Sequence, residues 1–219
     1  YKPKDIVSGD FYWFQKLDNK LYLACVDCTG HGIPGAFMSL IGLSMLNEIV
    51  NSKSKSKNPD DILNELEHKI NEALSSKRYD TQSKDGMDVS ICCFDLEKKS
   101  VKYAGALRPL VLINEQGITE IKGDRFPIGG GSSYDKKPFT LHELTINKGD
   151  SYFMYSDGYP DQFGGPKEKK YMNKKFKALL QEQRTLSPDE QIKNLENKLK
   201  DWQGKIEQVD DILVIGVLF

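Results

Sequence analysis

One short run, from Val26 to Gly32, constrains this chain more than any other part of its sequence. It begins where an apolar segment ends and is followed by a second apolar stretch that starts at Pro34. The two glycines within the run allow backbone N–H groups to turn toward an anion, and proline suits the first turn of a helix. The pattern therefore predicts a strand, an acid at its end (Asp27), a glycine turn and a helix.

The segments before Asp27 predict a β-hairpin. Phe11–Phe14 and Leu21–Val26 are rich in aromatic and aliphatic residues and flank an Asp-Asn pair at 18–19 that tolerates left-handed turn geometry. With the turn centred on that pair, counting outward along the ladder places Asp10 opposite Asp27. Opposed carboxylates lie roughly 5 Å apart and repel, and a divalent cation such as Mg²⁺ or Mn²⁺ offsets that repulsion. The alternative is two exposed aspartates that a one-residue slip keeps apart.

Composition sets the broad class of the protein. A chain of 219 residues can bury a sizeable core in one domain. Its 31 basic and 32 acidic residues nearly balance, so charge gives no reason to expect nucleic acid or an anionic membrane as a partner. No uninterrupted apolar run approaches the roughly 18 to 20 residues of a membrane span, and no signal-peptide pattern opens the chain. We expect a cytoplasmic domain, excised from a longer regulatory protein, without direct membrane contact in this fragment.

The four cysteines raise a zinc or redox alternative. Cys25 and Cys28 have the spacing of a zinc knuckle, but Cys92 and Cys93 are adjacent and point to opposite faces if they lie on a strand. This arrangement therefore disfavours a zinc site with four thiolate ligands. We expect buried, reduced cysteines in a reducing cytosol.

The order of the remaining patterns indicates the fold class. Short apolar segments between residues 89 and 156 are separated by turn-forming runs, which predicts a meander of antiparallel strands. Helical patterns lie before this region and after it. Such segregation indicates an α+β fold rather than an alternating, doubly wound one. The helix after Pro34 is apolar on most sides, so we expect it to be sandwiched within the fold.

Acids recur at the ends of these predicted strands. Asp157 follows an apolar segment and precedes a glycine, and Asp210 and Asp211 precede the final apolar run, which indicates a strand buried on both faces. Together with Asp10 and Asp27, these acids come from four strand ends. We interpret them as a shared metal centre.

Four motifs carry a resemblance to a known family. The runs Ser8-Gly9-Asp10, 27–32 (Asp-Cys-Thr-Gly-His-Gly), Ser156-Asp157-Gly158 and Asp210-Asp211 have the order and spacing of the metal-dependent serine/threonine protein phosphatases. The chain resembles specifically the bacterial SpoIIE-like branch of this PPM family, over essentially its whole length. The resemblance implies a single domain over residues 1–219. Its implied fold is an α-β-β-α sandwich of two antiparallel sheets flanked by helices, with a two-metal site at one end of the sheets.

The resemblance also assigns roles to individual residues. Asp27 would bridge two Mn²⁺ or Mg²⁺ ions, the Cys28 carbonyl would complete one coordination shell, and Asp10 would act largely through metal-bound water. Asp161 would help to hold a weaker third ion, together with Asp88. The implied catalytic set is Asp10, Asp27, Asp157 and Asp210, and the implied metal ligands are Asp10, Asp27, Cys28, Asp88, Asp157, Asp161, Asp210 and Asp211.

The chain departs from the family pattern on the substrate side. Many relatives have a His-Pro-Pro element where this chain reads Ala-Leu-Arg-Pro at 106–109, and a threonine in place of Leu213. Arg108 is a candidate substrate-binding residue because a guanidinium suits phosphate oxygens, and a structural salt bridge is the alternative. His31 is a second candidate on the substrate side, with a turn cap as its alternative. No arginine stands just before Asp10, where the eukaryotic branch has a phosphate contact.

The implied function is hydrolysis of phosphoserine or phosphothreonine on a signalling protein, by a water activated between two metal ions. The implied phosphoprotein substrate resembles a small anti-sigma-antagonist domain. Upstream sensory or regulatory domains of the same chain are further expected partners, and a homodimer is an open alternative. The competing hypothesis is a catalytically weak module that has the same fold and binds a phosphoprotein without turning it over.

Overall fold

The predicted hairpin forms, and it begins the largest of the described antiparallel sheets. The computed structural model describes residues 1–51, 57–74, 85–130 and 137–219. In it, β1 (Asp10–Leu17) and β2 (Lys20–Cys28) pair in the predicted register, with Leu17 opposite Lys20 and Asp10 opposite Asp27. Asp18 takes a positive φ of 52°, as a two-residue hairpin turn requires.

Ten further strands and five helices follow within the described ranges. The strands are β3 (Gly86–Asp95), β4 (Ser100–Ala106), β5 (Leu110–Asn114), β6 (Gly117–Ile121), β7 (Ile128–Gly129), β8 (His142–Thr145), β9 (Ser151–Tyr155), β10 (Phe163–Gly164), β11 (Lys169–Lys170) and β12 (Val214–Leu218). The helices are α1 (Gly32–Asn51), α2 (Pro59–Leu74), α3 (Gly158–Asp161), α4 (Asn173–Glu182) and α5 (Pro188–Gln203).

Two sheets pack face to face and carry helices on their outer sides. The first sheet has the order β1-β2-β3-β4-β8, with β7 beside β3, and the second has the order β12-β9-β5-β6. One core lies between the sheets, a second lies beneath α1 and α2, and a third lies beneath α3, α4 and α5. This arrangement confirms the predicted α+β sandwich. The strands do not form a simple meander, because the chain crosses from β4 to the second sheet, returns to the first sheet at β7 and β8, and crosses again to β9.

Helix α1 is less enclosed than its composition suggested. Met38, Leu46 and Ile49 are buried in the core beneath α1 and α2. On the outer side, Ile33 and Leu40 remain 68% and 64% exposed, so the prediction of a sandwiched helix is wrong. With 20 residues and a mean hydropathy of 1.5, α1 is long and apolar enough to cross a membrane. A core helix of a soluble protein also meets those two criteria. Polar residues interrupt the apolar sequence of α1, so the expectation based on uninterrupted apolar runs did not include this helix.

The last strand also differs from the prediction. Among the described strands, β12 pairs only with β9 and therefore lies at the edge of the second sheet. Its side chains are partly buried or exposed, not buried on both faces. An edge position accounts for the difference, because the face-to-face packing of the sheets covers central strands more completely than edge strands.

We expect Gly35→Ala to lower the free energy of unfolding by about 1–3 kcal/mol, the usual cost of overpacking. A Cβ at Gly35 would overlap the Gly30 carbonyl oxygen and lie 2.9 Å from the Gly9 Cα. The gain in helix propensity, at most about 1 kcal/mol, does not offset that overlap. Urea unfolding measures the effect, with Ser44→Ala on the exposed side of the same helix as the control. A Gly35→Ala variant as stable as wild type would contradict this prediction, because the backbone around Gly30 and Gly9 would then accept a Cβ without cost.

Candidate metal centre

Three aspartates stand side by side at one end of the first sheet. Asp10 on β1 is opposite Asp27 on β2, and Asp27 is in turn opposite Asp88 on β3. Counting along the hairpin predicted the first of these pairings. The place of Asp88 followed only from the family resemblance, and the register of β2 with β3 now brings it to the same level.

The second sheet brings Asp157 to this end of the molecule. Asp157 lies two residues beyond the end of β9 and stands at the N-terminus of α3. The preceding residue, Ser156, joins the segment before β12 through three hydrogen bonds. Its backbone N–H donates to the Leu213 carbonyl and its Oγ accepts from the Leu213 N–H, each at 3.0 Å, and its hydroxyl donates to the Asp211 carbonyl at 3.5 Å. These bonds hold Asp157 beside the Asp210-Asp211 pair.

Arg108 links the acids of the two sheets. Its Nη2 lies 2.7 Å from Oδ2 of Asp27, 2.8 Å from Oδ2 of Asp157 and 3.1 Å from Oδ2 of Asp88. Of the two alternatives left open by the sequence, the salt bridge is the one present here. A contact between Arg108 and a phosphate remains a prediction.

Burial and mutual repulsion raise the pKa values of the clustered carboxyl groups. Asp10 is only 4% exposed, and burial, followed by the charge of Asp27, raises its pKa to about 9. Burial raises the pKa of Asp27 to about 7, with the Arg108 guanidinium opposing this shift and the charge of Asp157 adding to it. The pKa values of Asp88 and Asp210 are also raised by burial. The site thus concentrates more negative charge than Arg108 compensates.

The donor set fits a hard divalent cation. Oδ2 of Asp10 is buried and has no hydrogen-bond partner within the described part of the chain, so it is an acceptor in need of a partner. Carboxylate oxygens are the ligands that Mg²⁺ and Mn²⁺ prefer. Over the described ranges, no three His, Cys, Asp or Glu side chains already form an arrangement that could hold an ion. The Arg108 guanidinium stands among three of the acids instead.

The Asp211 carboxylate is bound by the backbone of the N-terminal segment, and its role as a metal ligand stays a prediction. It is 2% exposed, its Oδ1 accepts from the Lys4 N–H and its Oδ2 accepts from the Gly9 N–H, both at 2.8 Å. Both oxygens are therefore engaged by the backbone of the N-terminal segment. Asp211 therefore positions that segment, and with it Asp10, which follows Gly9 in the chain.

Two other site candidates also have local partners. Asp161, one helical turn beyond Asp157, pairs with Lys170 Nζ at 2.7 Å, and its role toward a third ion stays a prediction. Nδ1 of His31 lies 2.9 Å from Asp5 Oδ2, and Nε2 lies 3.0 Å from Lys4 Nζ. His31 is thus held at the N-terminal segment, and its role toward a substrate stays a prediction. Gly30 and Gly32 on either side of it have positive φ, as the predicted turn requires.

The four cysteines separate into two different cores. Cys25 and Cys92 lie in the core between the sheets, whereas Cys28 and Cys93 lie in the core beneath α1 and α2. All four are free and buried. This placement contradicts a four-thiolate zinc site and agrees with the expectation of reduced, structural cysteines. A metal contact from the Cys28 carbonyl stays a prediction.

The acid cluster also predicts how stability depends on pH without divalent ions. The folded-state pKa values of Asp10 (about 9) and Asp27 (about 7) exceed the ordinary value of 3.8, so the folded protein binds more protons than the unfolded one. The free energy of unfolding therefore falls as pH rises from about 4, as far as about pH 7 for the Asp27 proton and about pH 9 for the Asp10 proton. The fall is about 1.4 kcal/mol per pH unit for each proton. Urea unfolding in EDTA at several pH values measures the slope.

Two variants separate the contribution of Asp10 to the pH dependence of the free energy of unfolding. Asp10→Asn should make the fall in stability with rising pH less steep, and Asp201→Asn, at an exposed position on α5, should leave it unchanged. An equal or steeper fall in Asp10→Asn would contradict the raised pKa of Asp10.

Comparison with known proteins identifies the family. A family model described as Stage II sporulation protein E (SpoIIE) matches residues 18–218. The chain belongs to the SpoIIE family. It is 25% identical over 210 residues to phosphoserine phosphatase RsbU of Bacillus subtilis, and the match covers 92% of this chain and 57% of RsbU. This SpoIIE-family chain therefore spans little more than half the length of that curated relative.

Solved structures agree with the family assignment. The SiaA-PP2C domain of Pseudomonas aeruginosa matches with a TM-score of 0.89 and 27% identity, over 100% of this chain and 83% of that domain. The PP2C phosphatase domain of SpoIIE from Bacillus subtilis, solved with a fragment of its regulatory domain, matches with a TM-score of 0.74 and 22% identity. This match covers 98% of this chain and 60% of that chain. The predicted SpoIIE-like resemblance and the predicted phosphatase fold are confirmed.

Proposed function

We propose that this SpoIIE-family chain is a metal-dependent phosphatase domain that hydrolyses phosphoserine or phosphothreonine on a signalling protein. The observation that carries the proposal is the convergence of Asp27 and Asp88 from one sheet with Asp157 from the other around the Arg108 guanidinium, with Asp10 opposite Asp27. Similarity to RsbU, whose name describes a phosphoserine phosphatase, supports the substrate class.

Two divalent ions are the cofactors that this donor set suits. Asp27, Asp157 and Asp210 would hold them, with the Cys28 carbonyl and with Asp10 acting largely through water. When bound, Mg²⁺ or Mn²⁺ supplies an activated water and neutralises phosphoryl oxygens. Asp88 and Asp161 would hold a third, weaker ion. A magnesium complex of RsbX, a fold neighbour with a TM-score of 0.62 and 17% identity, is consistent with the choice of ion.

The chain's own residues contribute binding and orientation. The buried Oδ2 of Asp10 is an unsatisfied acceptor that can orient a water molecule beside Asp27. Asp211 fixes the backbone on which Asp10 stands, through the Gly9 N–H. Arg108 carries guanidinium donors that suit phosphoryl oxygens, and His31, oriented by Asp5, stands at the N-terminal segment as a second candidate substrate contact.

The partners follow from the same reasoning. We propose a small anti-sigma-antagonist-like domain as the phosphoprotein substrate, and regulatory domains elsewhere in a longer cytoplasmic protein as the source of control. One structural neighbour is titled for the bacterial stressosome, with a TM-score of 0.65, and another contains the RsbU and RsbW domains of Rv1364c from Mycobacterium tuberculosis. At 18% identity each, these two neighbours support the fold alone.

Phosphate release by the wild-type chain tests the proposal. With Mn²⁺ or Mg²⁺ present, we expect hydrolysis of p-nitrophenyl phosphate and of phosphoserine and phosphothreonine peptides, and we expect EDTA to abolish it. Release that persists in EDTA would contradict the two-metal mechanism. Phosphopeptide binding without ion-dependent release would favour the competing hypothesis of a binding module, which the retained acid set does not favour.

A further inference from the structure

Arg108 does not make an ordinary salt bridge. Its single Nη2 atom contacts one oxygen from each of three carboxylates, at 2.7, 2.8 and 3.1 Å. A guanidinium Nη atom carries only two hydrogens, so the three oxygens share them. Its Nε is buried and has no hydrogen-bond partner within the described residues, so Arg108 does not use its fork in the usual bidentate way. Nη2 is placed as a cation would be, among acids of both sheets.

The backbone around Arg108 is fixed in a constrained turn. Leu107 has a φ of +61°, in the left-handed region that a branched side chain rarely adopts. The Leu107 N–H donates to the Asp124 carbonyl at 2.8 Å, and the Tyr103 hydroxyl donates to the Arg108 carbonyl at 2.6 Å. A conformation of this kind persists only where its surroundings hold it. The mobile part of Arg108 is therefore its side chain, on an anchored main chain.

We propose that Arg108 is an intrinsic cation of the acid site, which gathers Asp27, Asp88 and Asp157 in the ion-free protein and which a divalent ion must displace. The proposal rests on the metal binding of the proposed function. It follows because an ion held between Asp27 and Asp157 would take the place of Nη2, which already engages one oxygen of each carboxylate. Occupation by the guanidinium and occupation by the ion are mutually exclusive, so each weakens the other by the same factor.

This competition sets a threshold for ion loading. While Arg108 stays in place, the acids are paired across the two sheets and the domain remains folded without ions. When an ion takes those oxygens, the guanidinium is released close to the acid cluster, because its main chain does not move. The released donors are then available to an anionic group of a bound phosphoprotein.

Manganese binding by Arg108 variants tests the proposal without measuring turnover. Arg108→Gln removes the charge, and Arg108→Lys keeps it on a shorter, single ammonium. We expect calorimetry to give a Mn²⁺ Kd at least about tenfold lower for Arg108→Gln than for wild type, as for the loss of one charge-assisted hydrogen bond, with Arg108→Lys between them. Arg125→Gln, at an exposed arginine, is the matched control and should bind as wild type.

A second readout is the urea midpoint of the ion-free protein. In EDTA, we expect a lower midpoint for Arg108→Gln than for Arg125→Gln, because the acids lose their compensating charge. Unchanged or weaker Mn²⁺ binding by Arg108→Gln, or an unchanged urea midpoint, would overturn the inference while leaving the phosphatase proposal intact. If neither wild type nor variant binds Mn²⁺, both proposals fail.

Wild-type protein provides a test that does not depend on the folding of any Gln variant. In a Mg²⁺ titration followed by NMR, the Arg108 side-chain N–H signal, identified by its loss in Arg108→Lys, should shift with the midpoint measured by calorimetry. An Arg108 signal unchanged at saturating Mg²⁺ would show that the guanidinium stays with the acids and would overturn the inference.

Discussion

Asp27→Asn is expected to lower ion-dependent phosphate release by a factor of about a thousand or more, since a metal centre supplies several kcal/mol of transition-state stabilisation. Asp27 is the central acid of the site. It faces Asp10 on one side and Asp88 on the other, and it contacts Arg108. The substitution keeps the size of the side chain but removes the charge on which a bridging ligand depends. Steady-state hydrolysis of p-nitrophenyl phosphate at saturating Mn²⁺ measures the loss.

The matched control for Asp27→Asn is Asp201→Asn on the exposed side of α5, which should keep wild-type activity. Circular dichroism should show that both variants are folded. Retention of more than about a tenth of wild-type turnover in Asp27→Asn would contradict a bridging role, because that loss corresponds to less than about 1.4 kcal/mol.

Asp211→Asn is expected to lower the free energy of unfolding by about 2–4 kcal/mol, since it removes a buried charged acceptor and leaves a backbone donor unpaired. The Asp211 carboxylate receives the N–H groups of Lys4 and Gly9, and an amide offers only one oxygen to these two donors. The N-terminal segment and Asp10 should loosen together. Urea unfolding in EDTA measures the effect without any contribution from bound ions.

Asp210→Asn is the matched control for Asp211→Asn. Asp210 is only partly buried, and its Oδ1 accepts from the neighbouring Asp211 N–H, a bond that an Asn oxygen can also make. We expect its stability to stay within about 1 kcal/mol of wild type, while its Mn²⁺ binding weakens. The reverse pattern, with a stable Asp211→Asn that binds Mn²⁺ poorly, would contradict this structural role and favour Asp211 as a metal ligand.

The parts of the site that the sequence predicted are those set by local geometry. A two-residue turn fixes the register of the strands it joins, so counting from the Asp-Asn pair was enough to place Asp10 opposite Asp27. Likewise, an acid directly after an apolar segment lies at a strand end, which located Asp157. The partner of Asp27 on β3 was beyond such counting, because β2 and β3 are separated by two helices.

The parts that the sequence did not predict depend on contacts between distant segments. Arg108 reaches the acids because Leu107 is held at positive φ by Asp124 and Tyr103, and no local pattern marks such a turn. The orientation of the Asp211 carboxylate is set by backbone N–H groups more than 200 positions away, at Lys4 and Gly9. A motif identifies an acid pair but does not show which backbone groups its carboxylates bind.

The helices and the last strand show the same limit at the level of the fold. Apolar residues around α1 indicated burial on all sides, yet only one side of the helix meets a sheet and α2. The nearly unbroken apolar run of β12 likewise indicated a central strand, whereas it lies at a sheet edge. Composition reports how apolar a segment is, but its neighbours determine how much of it is covered.

The most direct test of the metal centre is anomalous diffraction from crystals of this chain soaked in Mn²⁺. We predict manganese peaks bound by the Asp27 and Asp157 carboxylates, with the Arg108 guanidinium moved away from both. Crystals saturated with Mn²⁺ that show no peak at these acids, and Arg108 still seated among them, would contradict the account.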